Sequence, residues 1–113
     1  MSEDTVQKFN DEQSFNDFIK NNEYVVIFFT TTWCGPSKLI SPKFIKLSKN
    51  HPEVKFVKLD VDDMSEVAQT YGVTTLPAFR FLHSSVVVDE FIGANPNELV
   101  KSVEKLSELA KAD

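Results

Sequence analysis

The sequence predicts an α/β protein in which five strands form one mixed sheet with helices on both faces. A continuous apolar run at Tyr24–Thr30 is typical of a central strand that is buried on both sides. Strand-like and helix-like segments alternate through the first two thirds of the chain, which predicts parallel strands joined by helices. Two β-rich runs then follow each other across two residues, which predicts an antiparallel hairpin.

The elements follow in the order β-α-β-α-β-α-β-β-α. Strands are expected at residues 6–9, Tyr24–Thr30, Lys55–Asp60, Ala78–His83 and Val86–Ile92. Four helices are expected to begin after Asn10, at Pro36, after Asp63 and at Pro96. The first, second and fourth helices carry apolar residues at helical spacing, and these should pack on the sheet: Phe15, Phe18 and Ile19; Leu39, Ile40, Phe44, Ile45 and Leu47; Leu99, Val103, Leu106 and Ala110.

Local signals mark where these helices begin and bend. Asn10 with Gln13, and Asp63 with Glu66, have the spacing of a capping box. Pro42 lies inside the second helix and is expected to kink it.

Composition and charge exclude several classes of function. The 113 residues include 42% hydrophobic residues and ten phenylalanines, enough core material for one domain over residues 1–113. A net charge of −5 without a basic cluster argues against nucleic-acid binding. No apolar run approaches the ~18 residues that span a bilayer, so no membrane insertion is expected. A single cysteine allows no internal disulfide and predicts a reducing, cytoplasmic setting.

No metal, prosthetic group or other cofactor is expected. Asp60, Asp62 and Asp63 lack the glycine and the downstream ligand of a calcium loop. His51 and His83 lie far from the other candidate site residues along the predicted elements, and both are expected on the surface.

The single cysteine, Cys34, lies where the central strand gives way to the second helix. Backbone N–H groups at a helix N-terminus stabilise a thiolate, which is the attacking form of cysteine in disulfide exchange. Gly35 allows another backbone to approach the sulfur closely, and Pro36 suits the first helical turn. Trp33 should shield one side of the site, while Lys38 lies nearby without a defined effect. This context predicts a reactive cysteine rather than a buried structural one.

The run Trp33-Cys34-Gly35-Pro36-Ser37-Lys38 resembles the W-C-G-P-C-K loop of thioredoxins at all but one position. The resemblance extends over residues 5–110. Its further motifs are Pro42 in the helix, Lys58-Leu59-Asp60-Val61-Asp62, Leu76-Pro77 as a cis-proline loop, and Gly93-Ala94-Asn95 after the last strand. The chain is thus similar to eukaryotic-type thioredoxins, and the resemblance implies the thioredoxin fold.

The resemblance also implies a mechanism and a docking surface. Cys34 would attack a disulfide of a partner protein and form a mixed disulfide, which a second cysteine of the family normally breaks. The backbone of Leu76, before Pro77, would pair with the extended chain of the partner. The apolar surface around it would be lined by Trp33, Val73, Gly93 and Ala94. Thioredoxin reductase would regenerate the parent form, which carries the second cysteine.

The sequence departs from the family at two positions. Ser37 stands where the resolving cysteine is expected, and a hydroxyl cannot break the mixed disulfide. Phe28 stands at the position of the buried acid that assists the resolving cysteine, so that assistance should be missing. Lys58, the usual neighbour of that acid, is then expected to turn towards solvent.

Three interpretations remain. The first, which we expect, is a protein disulfide reductase changed by design at position 37, so that the cycle stalls at the mixed disulfide; the otherwise intact motifs favour it. The second is a natural monothiol protein acting with glutathione or in disulfide shuffling, which the joint loss of the buried acid favours. The third is a non-catalytic peptide-binding module. The chain is expected to be a monomer, with a Cys34-linked dimer under oxidation because an exposed thiol must react outside its own chain.

Overall fold

The structure is a computed structural model that describes residues 4–113. The strands are β1 (Val6–Lys8), β2 (Tyr24–Thr30), β3 (Lys55–Asp60), β4 (Ala78–His83) and β5 (Val86–Ile92). The helices are α1 (Glu12–Asn21), α2 (Gly35–Asn50), α3 (Ser65–Thr70) and α4 (Pro96–Ala112). The predicted order of elements is confirmed. No helix among the described residues is long and apolar enough to cross a membrane.

The sheet is mixed, with the strand order β1-β3-β2-β4-β5. The strand β3 runs parallel to both β1 and β2, whereas β4 is antiparallel to β2 and β5. All seven residues of β2 are buried because it is the middle strand and both of its faces are covered. The carboxyl end of β2 leads directly into the loop that carries the cysteine.

Helices cover both faces of the sheet, as predicted. On one face α2 and α4 pack over the even-numbered residues of β2. On the other face α1 and α3 pack over the odd-numbered residues of β2. Since side chains alternate along a strand, the continuous apolar run supplies both layers of the core.

The hairpin between β4 and β5 turns on Ser84 and Ser85. Their φ angles of 50° and 70° lie in the left-handed region, as a two-residue hairpin turn of the primed type requires. The turn pairs His83 with Val86, and a register shift between Phe81 and Leu82 then places Arg80 of β4 opposite Glu90 of β5.

Two predicted helix caps are wrong by one residue. Asp11 rather than Asn10 caps α1, because its carboxylate accepts the Ser14 N–H at 2.9 Å. Gln13 instead donates to Asp17 along the helix.

The predicted cap of α3 is also wrong, since the helix begins after Met64, which makes no side-chain capping bond. Met64 itself is buried in the core together with Val67 and Ala68 of α3.

Two further expectations about burial are wrong. Leu39 is 81% exposed, because it lies on the solvent side of α2 next to buried Ile40. His51 is half-buried beneath α4, where its Nδ1 lies 3.2 Å from Ser107 Oγ and 3.3 Å from Glu53 Oε2.

Candidate active site

Cys34 is the N-cap residue of α2, as the sequence predicts. Its backbone is extended, with φ −79° and ψ 102°, and its N–H donates to the Thr31 carbonyl at 3.4 Å. The first turn of α2 contains no acidic residue. A helix N-terminus has unpaired N–H groups, and no carboxylate of this first turn opposes them.

The Cys34 side chain is 5% exposed, so the expectation of an exposed thiol is wrong. The turn from Thr31 folds the cysteine back against the end of β2. Gly35 and Pro36 beside it are exposed, and a Cβ at Gly35 would meet no atom within 4 Å. Open surface therefore lies next to a thiol that is itself recessed.

Trp33 is the most prominent side chain beside the cysteine, at 71% exposure. Its indole Nε1–H donates to the Asp62 carboxylate at 3.2 Å. This bond joins residues that are 29 positions apart in the chain. Asp62 was not predicted as a site residue, although it belongs to the same short motif as Lys58 that marked the resemblance.

The peptide bond between Leu76 and Pro77 is cis, as predicted from the resemblance. The Gly93 N–H donates to the Pro77 carbonyl at 2.8 Å, which brings two separate sequence motifs together. Pro77 is buried, whereas Val73, Leu76, Gly93 and Ala94 are half-buried: these are the residues predicted for docking.

Ser37, at the position of the resolving cysteine, points into the protein. Its side chain is 3% exposed, and Oγ has no hydrogen-bond partner among the described residues. Lys38, the next residue, is exposed. A buried hydroxyl without a partner is unfavourable, whereas a thiol tolerates such a position as a small apolar group.

A cavity of about 570 Å³ opens beside Ser37. Lys58 is half-buried and lines this cavity, so the expectation that it simply turns to solvent is wrong. Lys58 is the parallel-register neighbour of Phe28, so both residues belong to the face of the sheet beneath α2.

Phe28 is fully buried in the core between the sheet and α2. Its ring stacks on Phe79 with centroids 4.9 Å apart and makes a tilted contact with Phe44 at 5.1 Å. Neither Phe28 nor the two rings that contact it can transfer a proton. No carboxylate from position 28 can act on residue 37.

One set of side chains has the composition of a metal site. Glu23, His83 and Asp113 offer ligand atoms within 4.8 Å of one another. His83 lies opposite Tyr24, at the end of β2 remote from Cys34. His83 Nε2 is 3.1 Å from Glu23 Oε2, a distance typical of an ordinary ion pair on the surface. The closeness of these side chains therefore does not require a metal ion. His83 itself is half-buried rather than fully exposed.

Cys34 lies at a helix N-terminus after β2, and the cis-proline loop leads into β4, whose Ala78 pairs with Phe29 near the same end of β2. These features define a thiol–disulfide exchange site on a thioredoxin-like fold. The family model for thioredoxin matches residues 5–105. The chain belongs to the thioredoxin family.

Relatives with known names agree with this family. The chain is 40% identical over 95 residues to thioredoxin-2 of Pyricularia oryzae, covering 84% of this chain and 56% of that protein. It is 37% identical over 98 residues to thioredoxin-1 of Schizosaccharomyces pombe, covering 87% of this chain and 95% of that protein. The chain thus spans little more than half of one relative and nearly all of the other.

Solved structures show the same fold. Thioredoxin NaTrxh from Nicotiana alata superposes with a TM-score of 0.88 at 33% identity, covering 93% of this chain and 95% of that chain. A poplar thioredoxin h mutant with a cysteine-to-serine replacement superposes with a TM-score of 0.87 at 30% identity, covering 92% of this chain and 84% of that chain.

Proposed function

We propose that the protein is a thiol–disulfide oxidoreductase that forms stable mixed disulfides with protein partners through Cys34. The observation that carries the proposal is the pairing of Cys34 at the N-terminus of α2 with Ser37 one turn later. The Cys34 thiolate attacks one sulfur of the partner's disulfide. The partner's S–S bond breaks, a new bond joins Cys34 to the partner, and the second partner sulfur leaves as a thiolate.

The cycle then stops, because the chain has no second thiol to attack the new disulfide. A serine hydroxyl stays protonated at neutral pH and is too weak a nucleophile to displace a thiolate. Release of the partner requires a thiolate from outside the chain, such as the partner's own or that of glutathione.

The partner binds as an extended segment across the cis-proline loop. The backbone at Leu76 would pair with it as an added strand, since main-chain groups before Pro77 are in an irregular loop rather than in the sheet. The exposed indole of Trp33 and the half-buried Val73, Gly93 and Ala94 supply apolar contact around the sulfur. Disulfide-containing proteins are therefore the proposed substrates.

Ser37 itself supports an origin by replacement of a cysteine. Its Oγ is buried without a partner among residues 4–113, in a position that suits a thiol. In this interpretation the parent is a protein disulfide reductase regenerated by thioredoxin reductase, and the change at position 37 traps its partners.

Phe28 supports the second candidate, a natural monothiol protein that acts with glutathione. Its ring is packed between Phe44 and Phe79, so the core beneath α2 is adapted to an aromatic residue and not to an acid. A change at position 37 alone would not account for this packing.

The test uses a peptide whose cysteine carries a thionitrobenzoate group, because attack by Cys34 releases that coloured anion. We expect stoichiometric release and a covalent protein–peptide adduct by intact mass, and neither with Cys34→Ala. Peptide binding that survives Cys34→Ala without loss of affinity, together with no release by the unaltered protein, would instead support a non-catalytic binding module.

The same protein with Ser37→Cys distinguishes the two origins. Return of insulin reduction with thioredoxin reductase and NADPH supports the replaced-cysteine origin. Turnover of the unaltered protein with glutathione, and none with Ser37→Cys and the reductase, supports the natural monothiol.

Two proposals concern the setting of this chemistry. A reducing compartment such as the cytoplasm would keep the single thiol available. The protein would act as a monomer; a Cys34–Cys34 dimer would form slowly in oxidant, because both sulfurs are recessed.

A further inference from the structure

Arg80 is a buried cation in the middle of β4. Its side chain is 7% exposed, and its Nε–H donates to the Tyr71 carbonyl at 3.1 Å. The same Nε lies 3.2 Å from Glu90 Oε2, and Nη1 donates to the Phe79 carbonyl at 3.1 Å. Burying a guanidinium is costly unless its donors are satisfied, so these bonds hold Arg80 in one defined geometry.

The Tyr71 carbonyl marks one end of the cis-proline loop. Tyr71 is the C-cap of α3, and the chain then turns at Gly72 with φ 67°. The loop of residues 72–77 ends at Pro77, whose carbonyl accepts the Gly93 N–H. Arg80 thus ties the start of the loop to β4, while Gly93 ties its end to the segment after β5.

Residues 74 and 75 between these two ties are exposed, and the loop lies outside regular secondary structure. Its start is also held by the Val73 N–H, which donates to the Ala68 carbonyl at 2.9 Å, so the Arg80 bond acts on the loop together with the end of α3. A backbone that adds a strand must present its N–H and C=O groups at fixed positions, since main-chain bonds supply the affinity.

We propose that Arg80 is a positioning residue that sets the backbone of the cis-proline loop for protein disulfides, and so favours extended protein partners over small disulfides. The proposal rests on the docking role proposed above for this loop. Arg80 positions the loop through its hydrogen bond to the Tyr71 carbonyl. Glu90 is 61% exposed and pairs with the same Nε, so its neutralisation leaves the bonds of Arg80 to the Tyr71 and Phe79 carbonyls in place.

The experiment compares two disulfides that differ in whether they use the loop. The first probe is the thionitrobenzoate-labelled peptide; the second is dithiobis(nitrobenzoate), which is too small to pair along the loop. Arg80→Gln should lower the rate with the peptide about tenfold, as a small misplacement of bound groups does, while the rate with the small disulfide stays within about twofold. Glu90→Gln is the matched control and should leave both rates near those of the unaltered protein.

Arg80→Lys covers the case in which Arg80→Gln fails to fold. Its ammonium keeps the charge but lacks the fork that serves two carbonyls, so it should show an intermediate loss with the peptide alone. Amide hydrogen exchange should speed up at residues 72–76 and stay unchanged in β3.

Equal losses with both probes would mean that Arg80 acts only on overall stability or on the thiol, and would overturn the proposal. Unchanged rates with both probes in folded Arg80→Lys would overturn it too. If the unaltered protein fails to react with the peptide yet reacts with the small disulfide, the docking role itself is wrong. If it reacts with neither, the proposed chemistry of Cys34 is wrong.

Discussion

The ring of Phe28 lies nearly parallel to that of Phe79, with an interplanar angle of 11° and centroids 4.9 Å apart. The pair joins the neighbouring strands β2 and β4, and both rings contact Phe44 of α2. Since both rings are fully buried, they contribute apolar area and a favourable stacking geometry together.

Phe28→Asp should therefore destabilise the protein rather than restore an acid to the site. An unpaired charge in this apolar core costs about 3–5 kcal/mol in the free energy of unfolding. Phe28→Leu, the apolar control, should cost about 1–1.5 kcal/mol. Urea denaturation measures both. Similar stabilities for the two variants would mean that the carboxylate reaches water or a partner.

Ser37→Ala should raise the free energy of unfolding by about 1 kcal/mol, because it removes a buried hydroxyl that has no partner among residues 4–113. Ser48 is the matched control. It lies on the same helix with the same 3% exposure, but its Oγ donates to the Ile45 carbonyl at 2.5 Å. Ser48→Ala should lower stability by about 1 kcal/mol. A loss of stability in both variants would show that Ser37 has a bonding partner.

Asp62→Ala should release the indole of Trp33. Trp33 is the only tryptophan in the sequence, so its fluorescence anisotropy reports the lost hydrogen bond directly. We expect lower anisotropy and a rate with the labelled peptide reduced by a few fold, because an ordered apolar contact becomes mobile. Asp63→Ala removes a neighbouring carboxylate and leaves the Asp62 carboxylate that accepts from the indole in place. It should change neither quantity; equal effects would point to charge rather than to the hydrogen bond.

Glu53 should make stability fall in acid. Burial raises its pKa, but hydrogen bonds from Ser107, the backbone and His51, together with the charge of Lys111, outweigh burial and hold the pKa below 4.5. A carboxyl with a lowered folded pKa stabilises the protein above its unfolded pKa. That contribution is lost as the pH falls from about 4.5 through the folded value.

The substitution Glu53→Gln tests this directly. The variant should be less stable at neutral pH by about 1–2 kcal/mol and should approach the unaltered protein as the pH drops below 4.5. Glu104→Gln, at an exposed position on α4, should leave the profile unchanged. A constant difference at all pH values would exclude a role for the charge.

The strands and helices that could be predicted best were those indicated by several neighbouring residues of the same kind. The run Tyr24–Thr30 is apolar throughout, and the structure places it at the centre of the sheet with the predicted bounds. Predictions that depended on a single residue were less reliable. Asn10 and Asp11 are both good cap residues, and the choice between them depended on which one reaches the Ser14 N–H. Leu39 has a strongly apolar side chain, yet it lies exposed on the solvent side of α2.

The sequence by itself determined the chemistry available to this protein. It provides one thiol, at Cys34, and a hydroxyl at position 37, so no second thiol of this chain can take part in disulfide exchange. Only the tertiary structure decided what surrounds that sulfur. It joined Trp33 to Asp62, Pro77 to Gly93 and Arg80 to Tyr71, and it buried Ser37 without a partner among the described residues. Such contacts depend on strand register and on how helices pack, which local patterns do not encode.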